Sequence, residues 1–108
     1  MWVFLSDAFL SIVAHRDRPD DLLVRARIAG DLERVFPGYP VEITPDADYR
    51  FRAVIPRTQV AQALADQATT IDYRNFKGSV RDSDRHDAYM QVWHVMRQAQ
   101  KSGSRTAK

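Results

Sequence analysis

The run Leu22-Leu23-Val24-Arg25-Ala26-Arg27-Ile28 decides the fold. Leu22, Val24, Ala26 and Ile28 fall on one side of an extended chain, and Leu23, Arg25 and Arg27 on the other. That is the period of two of a half-buried strand, not the 3.6 of a helix. The alternation returns in Tyr49-Arg50-Phe51-Arg52-Ala53-Val54-Ile55, where Tyr49, Phe51, Ala53 and Ile55 are expected on the buried side. Such strands need neighbours, and the N-terminus offers them. Trp2-Val3-Phe4-Leu5 and Phe9-Leu10-Ser11-Ile12-Val13-Ala14 are β-prone runs separated by Ser6-Asp7-Ala8, a spacing that suits a hairpin.

Between the two alternating strands, Ala29-Gly30-Asp31 breaks the chain. Asp31 is the expected N-cap of a short helix whose inward residues are Leu32, Val35 and Phe36 and which Pro37-Gly38 ends. Tyr39 to Asp48 reads as a loop with a brief strand at Val41 to Ile43. Beyond Pro56, the residues Val60, Ala61, Leu64, Ala68 and Ile71 recur at helical spacing, and Asp72 to Asp82 forms a link anchored by Tyr73 and Phe76. Ser83 is the expected N-cap of a last helix, with Asp84 and Asp87 near its positive end and Tyr89, Val92, Trp93 and Met96 as its apolar stripe. The expected architecture is α+β: an antiparallel sheet of about four strands packed against two or three helices. Residues 1–100 are expected to form a single domain, and residues 101–108 a flexible tail.

Composition narrows the function classes. The chain has 108 residues and no cysteine, which excludes disulfides, thiolate chemistry and cysteine-ligated metal sites, and fits a reducing, cytoplasmic setting. Met1 to Ala14 lacks a basic leader and is interrupted by Asp7, so it is expected to be strand and not an export signal. No run approaches the roughly 20 apolar residues of a membrane span. The net charge of +2 conceals an asymmetry: residues 1–56 hold seven basic against nine acidic residues, and residues 57–108 nine against five. Neither half carries a polybasic block that would announce nucleic acid.

Several local strings carry a resemblance. Met1-Trp2-Val3-Phe4, Leu23-Val24-Arg25-Ala26-Arg27, Asp48-Tyr49-Arg50-Phe51-Arg52, Ile71-Asp72-Tyr73-Arg74-Asn75-Phe76-Lys77 and His86-Asp87-Ala88-Tyr89-Met90-Gln91-Val92-Trp93 resemble a family of small bacterial proteins with no assigned activity. The resemblance extends to about residue 100 and implies a bacterial or phage setting. It assigns no functional residue.

Three groups of residues could carry chemistry. If the alternating strands are neighbours, Arg25, Arg27, Arg50 and Arg52 share the non-core face of the sheet and form an anion or nucleic-acid platform, because a guanidinium fork donates two parallel hydrogen bonds to phosphate. The plainer reading is a solvated sheet face neutralised by carboxylates. Asp82-Ser83-Asp84-Arg85-His86-Asp87 gathers oxygens and an imidazole, yet helix capping accounts for it without a metal. Tyr73, Phe76, Tyr89, Trp93 and Arg97 are of the residue types that interfaces favour, and mark the last helix as the expected protein interface. No Gly-rich phosphate loop, metal-ligand spacing or nucleophile elbow is present, so no catalytic residue, cofactor or metal is expected.

Two functions follow as expectations. The first is a small non-enzymatic binding protein, a homodimer or the partner of another protein, of the kind that regulates or inhibits a larger bacterial machine, as some phage and defence-related inhibitors do. The second is a nucleic-acid-binding protein that uses the arginine-lined sheet face. A membrane partner is not expected.

Overall fold

The N-terminal runs do form a hairpin: β1 (Trp2–Phe4) pairs antiparallel with β2 (Phe9–Ala14), placing Trp2 opposite Ser11 and Val3 opposite Leu10. The turn is closed by the Leu5 amide donating to the Ala8 carbonyl at 2.8 Å. In this computed structural model, which describes residues 1–104, the chain groups into two compact units, Met1–Asp72 and Tyr73–Lys108. The sheet occupies the first.

The two alternating runs become β3 (Asp21–Ala26) and β5 (Phe51–Pro56), and they are neighbours. A two-residue β4 (Glu42–Ile43) lies outside β5, so the five antiparallel strands run in the order β1-β2-β3-β5-β4. Both edge strands are short, which limits the row of unpaired backbone groups they expose. The register Leu22↔Ile55, Val24↔Ala53, Ala26↔Phe51 puts the apolar members of each alternation on one face. Leu10, Ile12, Val24, Ala26, Ala53 and Ile55 are buried there together with Leu32, Phe36 and Val60.

Leu32 comes from α1 (Asp31–Val35), Phe36 from its C-cap and Val60 from α2 (Arg57–Thr69). Each fully buried aliphatic side chain contributes on the order of 1.5–3 kcal/mol, so this single cluster is what makes residues 1–72 fold. Arg57 fastens the start of α2 to the loop before β3. Its backbone amide donates to the Asp20 carbonyl, and its Nε and Nη2 donate to the Pro19 carbonyl.

Several local expectations are corrected. β3 ends at Ala26, so Ile28 lies outside the strand and is exposed. Asp31 does not cap α1. That place falls to Gly30, whose φ of +92° is open to glycine and strained for other residues. The Asp31 carboxylate is instead fully buried and accepts the Phe9 amide at 3.0 Å and Arg34 Nη1 at 2.9 Å, tying α1 to the start of β2. In α2, Val60 is buried while Ala61 and Ala68 are exposed, and Ile71 lies past the helix end.

The second unit contains α3 (Phe76–Ser79) and α4 (Ser83–Ser104). Asn75 caps α3 by accepting the Lys77 amide at 3.0 Å. Asp82, not Ser83, caps α4: its Oδ2 accepts the Arg85 amide at 2.9 Å, the i to i+3 bond of a helix N-cap. α4 runs on to Ser104, so residues 101–104 of the expected tail are helical, and residues 105–108 lie outside the described residues. Among the described residues no helix is long and apolar enough to cross a membrane.

Candidate functional site

The arginines of the sheet meet as the register requires. Arg25 and Arg52 stand directly opposite each other on β3 and β5, on the face away from the core. Two guanidinium groups in that position repel, and the segment just before β5 relieves the repulsion. Arg25 and Arg27 both lie against the Tyr49 ring, with guanidinium carbons 4.6 and 4.2 Å from its centroid. The ring's negative face is a partner for either cation.

The remaining donors also turn inward. Arg25 Nη2 donates to Ser11 Oγ at 2.8 Å, Arg27 Nη1 to the Asp48 carbonyl at 2.9 Å, and Arg52 Nε to the Tyr49 carbonyl at 3.3 Å. Arg52 Nη2 lies 3.8 Å from the Asp48 carboxylate. Arg25 Nε is buried with no hydrogen-bond partner, which leaves the adjacent aromatic ring to offset part of that cation's desolvation. Tyr49 is therefore buried, as expected, but against Arg25 and Arg27 and outside the core cluster. Arg50 precedes β5 and is exposed, and its carbonyl accepts the Thr44 amide at 2.7 Å. Three of the four expected platform residues thus hold the Asp48–Tyr49 segment in place.

The second expected cluster assembles within residues 73–104. Tyr73 and Phe76 have ring centroids 5.8 Å apart. Phe76 stacks on Tyr89 at 5.7 Å with ring planes 15° apart. One turn further along α4, Trp93 is flanked by two cations: Lys77 Nζ at 5.0 Å from its centroid and the Arg97 guanidinium at 5.6 Å. Tyr73, Phe76, Tyr89, Trp93 and Arg97 thus form one continuous aromatic and cationic seam. Lys77 is a member that sequence reasoning missed; its place in the four-residue α3, six residues before α4, gives no hint that it reaches a tryptophan sixteen residues on.

From Gln91 onward every α4 residue whose burial is described is exposed. This includes the apolar Val92 (38% exposed), Trp93 (40%), Val95 (65%) and Met96 (62%). The expected stripe of Tyr89, Val92, Trp93 and Met96 omitted Val95. Together with Ala88, Val92 and Ala99, that residue lies at the alternating four- and three-residue spacing of a helix-pairing seam. The exposed apolar surface is centred on this seam, on the side of Val92 away from Trp93.

Two other groups of titratable residues shape local structure. Asp82 caps α4, and His86 Nδ1 is 3.6 Å from the neighbouring Asp87 carboxylate. His15 Nδ1 accepts the amides of Asp17 and Arg18 at 3.1 Å and shapes the loop before β3. Among the described residues no group of three or more His, Asp or Glu side chains is placed to hold a metal ion. No protein-family model, curated protein or solved structure matches this chain, so the role of these two clusters rests on their own geometry.

Proposed function

We propose that this protein is a non-enzymatic binding protein that acts through a protein–protein surface on α4, as a small regulator in a bacterial cytoplasm. The observation that carries the proposal is the exposure of Val92, Trp93, Val95 and Met96 on consecutive turns of one helix. Single exposed apolar residues are ordinary, but a contiguous set with a tryptophan at its margin and Arg97 beside it has the composition of an interface core and rim. The absence of cysteine fits the reducing compartment.

The nucleic-acid alternative draws less support. Arg25, Arg27 and Arg52 already direct donors to Ser11, Asp48 and Tyr49, and a phosphate would have to displace those contacts. A photo-crosslinking amino acid placed at Val95, with a control at Asp66 on the exposed side of α2, tests the proposal in the producing cell. Protein adducts are expected from position 95 and none from position 66. Failure to form adducts at position 95 would overturn the proposed function.

A further inference from the structure

We propose that the occupant of this surface is a second copy of the same chain, and that the two α4 helices pair antiparallel through Ala88, Val92, Val95, Met96 and Ala99. This rests on the reading of α4 as a protein-binding surface and names its partner. The first ground is the charge distribution along the helix. Its N-terminal third is net acidic, with Asp84 and Asp87 and the capping Asp82 against one arginine, Arg85, which is buried and turned toward Tyr89, and its C-terminal third carries Arg97 and Lys101 without an acidic residue. An antiparallel partner brings the acidic third of each copy beside the basic third of the other. A parallel partner would set like charges side by side.

The helix dipoles act in the same direction, since antiparallel alignment places each positive N-terminus next to a negative C-terminus. The second ground is the spacing of the seam. With the two-fold axis between Trp93 and His94, which is the midpoint of the 22-residue helix, Val92 falls opposite Val95 of the second copy, and Ala88 opposite Ala99. Asp87 then lies within one residue's rise, about 1.5 Å along the axis, of Lys101 in the other helix. The alanines at both ends of the seam let the backbones approach closely, while Met96 fills the side of the central layer with an adaptable chain.

A pair of helices joined by five small to medium apolar positions buries less than the roughly 1,600 Å² of a standard stable complex, so the dimer is expected to be weak, with Kd on the order of 1–100 µM. Sedimentation of the full chain from about 1 to 500 µM should show reversible conversion from monomer to dimer across that range. Val95→Lys should leave only monomer throughout while retaining the native circular dichroism spectrum. Orientation is read with cysteines, which the natural chain lacks. Under mild oxidation, Ala88→Cys mixed with Ala99→Cys should cross-link, and neither variant should do so alone.

Cross-linking of Ala88→Cys with itself would overturn the antiparallel arrangement, and a monomer at all concentrations would overturn self-association. In the latter case, adducts to a different protein at position 95 in the cell would leave the proposed function standing. The absence of both dimer and adducts would remove the two readings together.

Discussion

Val24 and Val95 are the same residue in opposite circumstances. Val24 sits in the centre of the sheet with none of its surface exposed, and Val95 on α4 leaves 65% of its surface open. The difference lies in what each local pattern has available to cover it. β3 has a strand on each side and two helices across its apolar face, so every residue of its alternation that points inward meets a complementary layer. Among the described residues of its own unit α4 has only the four-residue α3 beside it, and α3 engages the side that bears Tyr89 and Trp93. The apolar stripe of α4 is wider than the cover that α3 gives it.

Substitutions probe this contrast in order of expected effect. Leu10→Ala, in the fully buried layer against Leu32 and Val24, is expected to cost about 2–5 kcal/mol, measured by chemical denaturation, because it removes buried methyl groups and leaves a cavity. Tyr49→Leu removes the ring shared by Arg25 and Arg27 while preserving much of the apolar bulk. A loss of about 1–2 kcal/mol is expected, and no change would mean the two cations gain nothing from the ring. Val95→Lys is expected to change monomer stability by less than about 0.5 kcal/mol, as for an exposed helix position without a partner. A cost near that of Leu10→Ala would show that Val95 is covered within the monomer and would erase the contrast.

The parts of this organisation legible in the sequence are those set by local periodicity. The alternation of residues 22–28 and 49–55 gives two strands, formed over Asp21–Ala26 and Phe51–Pro56, the buried face of their central residues and, once they are paired, the opposition of Arg25 and Arg52. The hairpin spacing, α2 and the Tyr89–Trp93–Met96 stripe are legible for the same reason. What is not legible depends on contacts far apart in the chain. Asp31 looks like a helix cap because aspartate favours caps, but its carboxylate is claimed by the Phe9 amide, 22 residues away. Tyr49 looks like the first core residue of β5 because it has the right parity. The strand begins only at Phe51, which frees the ring to lie against Arg25 of β3 and Arg27 just past its end. Val95 is not legible as part of the stripe because the aromatics weight it toward Trp93, whereas α3 leaves the opposite flank of Val92 open.

The claim that α4 offers an uncovered face which closes on association is tested most directly by hydrogen exchange, resolved by segment and measured at two total protein concentrations about a hundredfold apart. The account predicts that amides of residues 91–100 exchange more slowly at the higher concentration, while those of β3 and β5 keep the same rates. Exchange in α4 that is independent of concentration, in a sample shown to span the expected Kd, would contradict it.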